Sequence, residues 1–466
     1  MRMASRLTAL TALVITGLST VAATAAPASA VPALASSTSA APGTKLWAAR
    51  FQGLGFSQPA AMAASPNGTD VFITGITQPP KSRDRYATVG YNALTGARLW
   101  SSIFHRGPKR NGSNGDDVVV SPDGSKVFVT GSTSEGITTV AYNAATGAKL
   151  WVAESSAGAA GTGLAVSPDG QTLFVAGWGY YHGTGAFDYA TLAYNTASGT
   201  LLWTTPYSGN FVGAGTTTPQ VAVSPDGSAV FMRGQASNSD LTIAYNPTTG
   251  KQLWARLFSG LGEAYSASMV ISPDSSRVFV LGSSRSTTSA LFSYATVAYD
   301  AKTGARQWVK YDPGLSSQLG RTGATSIAIK PDGTAVFVTG ENTEANGTGG
   351  YSTIAYDAAT GAKLWQQRYF ANGRGGEAAE AWFAGVSPDG SEVFVTGLTH
   401  RGHFATLAYN STTGAELWSA VARHAFCGDA VAAVNPTTPE VMVNGTCREP
   451  GAPTGAQDYL TVAYSG

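Results

Sequence analysis

One unit, repeated eight times, constrains this chain more than anything else in it. The unit runs aliphatic-S-P-D-G, then V-F-V-T-G, then Y-A-T-V-A-Y-N-x-x-T-G-x-x-L-W, with a period of about 50 residues. Its S-P-D-G element starts at Ser65, Ser121, Ser167, Ser224, Ser272, Lys330, Ser387 and, in altered form, Asn435. Its tryptophans are Trp47, Trp100, Trp151, Trp203, Trp254, Trp308, Trp365 and Trp418. A repeat of this length cannot bury its own apolar face, so copies must stack on one another and share a continuous core.

Each unit holds four runs of strand composition, here termed A to D, as at 326–329, 336–339, 351–356 and 362–367. Between A and B, proline presets φ and Asp-Gly closes a tight turn. Between C and D, Asn or Asp caps a turn whose glycine takes positive φ. The C–D motif A-x-[DN]-x-x-T-G-x-x-x-W is unbroken at 298–308 and 355–365, but has only begun at Ala463-Tyr464-Ser465-Gly466. Pro42-Gly43-Thr44-Lys45-Leu46-Trp47 supplies its other half. The first D strand is therefore predicted to complete the last blade. That gives an all-β, eight-bladed β-propeller of four-stranded antiparallel blades over 44–466, closed without an open sheet edge at the join.

The spacing of this motif resembles the tryptophan-docking motif of the quinoprotein alcohol dehydrogenase-like superfamily of PQQ-like repeat propellers. The S-P-D-G-x-x-V-F-V-T-G half is also similar to WD40-like and surface-layer-type propeller repeats. The resemblance implies the eight-bladed fold, with each tryptophan (Trp47, Trp100, Trp151, Trp203, Trp254, Trp308, Trp365, Trp418) locking adjacent blades. For the dehydrogenases it further implies calcium with pyrroloquinoline quinone, a catalytic Asp and a ring of adjacent cysteines. Adjacent cysteines do not occur here, so quinone chemistry is disfavoured and the fold leaves function open.

Residues 1–30 read as a secretory signal: Arg2 and Arg6, an apolar stretch from Leu7 to Ala25, and Ala28-Ser29-Ala30 at the cleavage point. A short linker, 31–43, follows. Losing both arginines takes the formal charge from +1 to −1, which offers no basic excess to nucleic acid or to an anionic membrane. A secreted, extracellular monomer without a membrane span is expected. Cys427 and Cys447, alone in an exported chain, predict one disulfide rather than a metal site. It is expected to staple the closing blade where its A–B turn has decayed to Asn435-Pro436-Thr437-Thr438.

In an antiparallel meander the A–B and C–D turns share one face, and the B–C and D–A connections share the other. Only the second set varies in length, which is the mark of a binding face on a rigid repeat. Read as loop residues there, Trp178, Tyr180, Tyr265, Trp382 and Arg110 are candidates to bind a ligand. Tyr181, His182, Asp117, Glu377, Arg374 and Asp429 are candidates for catalysis. Trp178 and Trp382 are singled out because the repeat gives them no docking role, although both are also compatible with core packing. Paired carboxylates such as Asp116 and Asp117 are suited to acid/base work or to calcium through oxygen ligands. No metal site or resident cofactor is predicted. The function this favours is binding of an extracellular glycan, peptide or protein. The alternative is a polysaccharide lyase or hydrolase in which Tyr180, Tyr181 or His182 moves a proton and Arg374 neutralises a uronate.

Overall fold

In the computed structural model the described residues are 40–106, 112–180, 187–211, 218–286, 292–312, 323–343, 349–370, 379–399, 402–422, 427–448 and 457–466. They form strands and turns with no helix, and Ala40–Gly466 is one compact unit. Thirty-two strands, β1 (Lys45–Phe51) to β32 (Asp458–Ser465), make eight four-stranded antiparallel sheets. The innermost A strands are β2 (Phe56–Ala64), β6 (Asn114–Val120), β10 (Ala160–Val166), β14 (Gln220–Val223), β18 (Gly262–Ile271), β22 (Ala324–Ile329), β26 (Glu380–Val386) and β30 (Cys427–Val434). The predicted segments of the sixth repeat correspond to β22 to β25, each somewhat longer than its motif.

The ring closes as the split motif requires. β1 lies on β32, with Trp47 opposite Ala463 and Phe51 opposite Tyr459, in a sheet completed by β31 (Glu440–Cys447) and β30. The divided C–D turn is rebuilt from two distant segments. Gly43 N donates to Ser465 O at 2.8 Å, as Gly96 N does to Asn92 O within an unbroken turn.

The recurring letters of the repeat are explained by what each docking tryptophan touches. Trp254 lies between Phe231 of its own blade and Tyr299 of the next, with ring centroids 5.8 and 6.2 Å away. Its indole N–H donates to Ala301 O at 2.9 Å across the joint. A Cβ on Gly304 would lie 2.6 Å from that indole, so the turn must carry glycine both for contact and for its φ of +68°. The same donation to a neighbouring carbonyl is made by Trp47, Trp100, Trp151, Trp203, Trp308 and Trp365. Trp418 packs on Gly43 and on Tyr464, but its indole nitrogen has no acceptor among the described residues.

The S-P-D-G turns serve structure. Ser121 Oγ donates to Asp123 Oδ1, and Ser125 N and Oγ add two further bonds, which hold that carboxyl down to about 2. The last A–B turn lacks the i→i+3 backbone bond that the other seven make, as its altered sequence leads one to expect, but it is held in another way. Asn435, 1% exposed, reaches across the ring join to Gly68 O at 3.1 Å, while its Oδ1 accepts from Thr437. The disulfide between Cys427 and Cys447 is formed, but at the opposite end of that hairpin. Cys427 opens β30 and Cys447 ends β31, so the staple secures the loop-facing end, and the turn end is held by Asn435.

Candidate functional site

Connection lengths separate the two faces. Between A and B strands the gaps are nearly uniform, as at 65–69, 121–125 and 387–391. B–C connections range from 134–135 to 448–457, and D–A connections from 259–261 to 313–323. The candidate site is the face carrying the variable set.

Several nominated residues belong to the strands rather than to that loop layer. Trp178 and Tyr180 lie in β11 (Thr172–Tyr180), where Trp178 pairs with Ala160 on one side and Tyr189 on the other. Trp178 is half-buried against the core shared by the third and fourth blades, which corrects its reading as a loop residue. Tyr265 is a strand residue of β18, and Asp429 of β30. Trp382, in β26, packs against the core of the closing blade and directs its indole nitrogen to Glu380 Oε2 at 3.3 Å. Arg110, Tyr181, His182, Arg374 and Glu377 lie outside the described residues.

The inner strands share a deviation that a linear reading of alternation misses. Seven of the eight A strands slip register by a bulge near their loop-facing ends, at Ala60, Asp116, Thr162, Ala267, Thr325 and Trp382 and between Gly428 and Val431. A bulge places neighbouring residues side by side instead of on opposite faces. Two of these side chains bond to the next blade. Thr162 Oγ1 donates to Pro219 O and Thr325 Oγ1 to Ala381 O, both at 2.8 Å.

Asp117 belongs to this belt. Its carboxylate accepts Val118 N at 2.8 Å and, from the third blade, Leu164 N at 2.7 Å. Ser326 Oγ plays the same part between the sixth and seventh blades, accepting Ala384 N at 3.1 Å. Asp117 is therefore a lateral fastener within β6 (Asn114–Val120), which corrects its reading as a loop residue. Burial pushes its carboxyl up to about 7 against those bonds. Asp116 is also pushed to about 7, first by burial and then by the adjacent Asp117.

The sign of the resulting pH dependence follows from linkage. Carboxyls whose folded value is raised hold protons that the unfolded chain has released, so their contribution is complete below about 4 and is lost as pH rises through about 7. Asp123 and Asp226, held near 2, act oppositely, and their contribution is lost as pH falls from about 4 towards 2. We expect the melting temperature to fall between about pH 5 and pH 8 in the native chain. The decline should be clearly smaller in Asp117→Ser, where serine keeps the acceptor as Ser326 does. Differential scanning calorimetry across that range checks this, and equal slopes would contradict it.

The family relationship rests on sequence as well as shape. The profile of outer membrane protein assembly factor BamB matches residues 83–179, 192–351 and 349–449. The chain belongs to the BamB-type family of PQQ-repeat propellers. No curated protein sequence matches it. In shape this BamB-type chain is similar to BamB from Moraxella catarrhalis, with TM-score 0.50 and 16% identity over 91% of this chain and 97% of that one. It is similar to Sqt1 from Saccharomyces cerevisiae, with TM-score 0.59 and 11% identity over 89% and 97% of the two chains. Quinohemoprotein alcohol dehydrogenase from Comamonas testosteroni aligns with TM-score 0.51 and 12% identity, over 90% of this chain and 76% of the other. At these identities the likeness concerns the fold.

The cysteines of this BamB-type propeller do not match the ring of adjacent cysteines that the quinoprotein resemblance implies. Cys427 and Cys447 are bonded to each other in the closing blade, and the Asp117 carboxylate is engaged by two N–H groups. No three His, Cys, Asp or Glu side chains gather among the described residues.

Proposed function

We propose that this chain is a secreted binding propeller that presents the B–C and D–A connections to an extracellular glycan, peptide or protein ligand. The carrying observation is the contrast between uniform turns on one face and connections of variable length on the other. Two further points support binding over turnover. Asp117, the one catalytic candidate whose side chain is described, is engaged in holding the second blade to the third. The family is named for an assembly factor. Export is supported by the sequence of residues 1–30 and by the disulfide. No helix among the described residues is long and apolar enough to cross a membrane.

The test is a panel of polysaccharides and peptides offered to purified protein, with binding and turnover read together. A variant in which 181–186 is replaced by the short connection 134–135 should lose or change binding, while substitutions in the S-P-D-G turns should leave it intact. Release of reducing ends, unsaturated-uronate absorbance, or dye-linked alcohol oxidation with added quinone and calcium would overturn the binding reading.

A further inference from the structure

The second position after the phenylalanine of V-F-V-T-G is Thr74, Thr130, Thr339 and Thr396 in four blades, and its hydroxyl meets a threonine of the adjacent C strand. In the fourth blade it is Arg233, in β15 (Val230–Ala236). That arginine is 2% exposed and is one of the largest fully buried side chains of the molecule. It stands in register between Gln220 of β14 and Thr242 of β16 (Ser239–Tyr245), and Thr242 is opposite Arg256. Residues directly opposite across antiparallel strands share a face, so this row is polar from end to end. The neighbouring Arg256 is engaged, its guanidinium donating to Gly304 O, Thr303 O and Ala255 O. Arg233 donates from Nη2 to Ala267 O of the fifth blade at 2.8 Å, and its Nε and Nη1 have no acceptor among the described residues.

We propose that Gln220, Arg233 and Thr242 form a buried site for a small oxyanion, a carboxylate or a phosphate, at the joint of the fourth and fifth blades. The chemistry of the donors supports this. An amide, a hydroxyl and two guanidinium nitrogens without an acceptor among the described residues share one row, and a planar guanidinium is the side chain best matched to an oxyanion. The local electrostatics point the same way. Burial pulls the guanidinium below its ordinary range, and the charge of Asp240 offsets only part of that effect. A buried cation set where four other blades have a threonine lowers stability unless a counter-charge completes it. The proposal is independent of the loop-face reading, because the row lies inside the blade joint.

The experiment is a thermal melt of the full purified chain at constant ionic strength, with chloride exchanged stepwise for phosphate in one arm and for acetate in the other. Native protein should gain about 3–5 °C at saturation in at least one arm, and the responding arm shows whether the anion is tetrahedral or planar. Arg233→Thr, which installs the residue found in four other blades, and Arg233→Met, which keeps the bulk, should show no anion-specific gain. A flat titration of the native protein in both arms overturns the site, and so does an equal gain in either variant. The native titration decides alone if neither variant folds.

Discussion

Trp254→Ala should destabilise the propeller by about 3–5 kcal/mol, the cost of emptying a large aromatic site in a packed joint. The indole is 6% exposed, lies between Phe231 and Tyr299, and gives its N–H to Ala301 O. Its loss leaves that carbonyl unpaired as well as leaving a void. Trp254→Phe should recover part of the difference, because it refills the space and not the hydrogen bond. Gly304→Ala should approach the effect of Trp254→Ala, since the added methyl both strains a φ of +68° and presses on the indole at 2.6 Å. Denaturant midpoints of the three variants check this. A Gly304→Ala protein as stable as the native chain would show that the joint is not organised around that contact.

Cys427→Ser should cost about 2–4 kcal/mol, the usual worth of a bridge closing a loop of this size. Cys427 and Cys447 are Cα partners, 8% and 0% exposed, with a sequence separation of 20. Because the bridge ties the loop-facing end of the hairpin while Asn435 holds the turn end, reduction should loosen 427–428 and 446–447 before the turn. Hydrogen exchange with and without reductant reads this directly. Faster exchange at Asn435 than at Cys427 would reverse the order expected.

Much of this fold was legible because its determinants are local. A turn that needs glycine at positive φ, a capping Asp or Asn, and a tryptophan four positions on all fall within one short motif, and copies at fixed spacing leave few architectures open. The site was less legible for a physical reason. A bulge at Asp116, Thr162 or Trp382 sets consecutive residues on one side and breaks the period of two by which strands are recognised. Inner strands therefore read as starting too late, which puts Asp117 and Trp382 in loops, while Trp178 reads as a loop residue because β11 runs past the V-F-V-T-G motif. The turn at Asn435 was legible only in part. Its turn departs from S-P-D-G and lacks the i→i+3 bond of the others, but Asn435 bonds instead to Gly68, a partner far away in sequence that no local pattern announces. Arg233 did carry a signal, since a charged residue stands where four other blades have threonine, but its burial is visible only in three dimensions.

The claim on which the rest depends is that β1 closes the ring on β32. Cysteines placed at Ala49 and Thr461, Cα partners across that join, test it directly. Non-reducing peptide mapping should find an intramolecular Ala49→Cys to Thr461→Cys disulfide in the folded monomer, beside the native Cys427–Cys447 bridge. Two free thiols in a folded, monomeric protein, or a link formed only between separate chains, would contradict the closure.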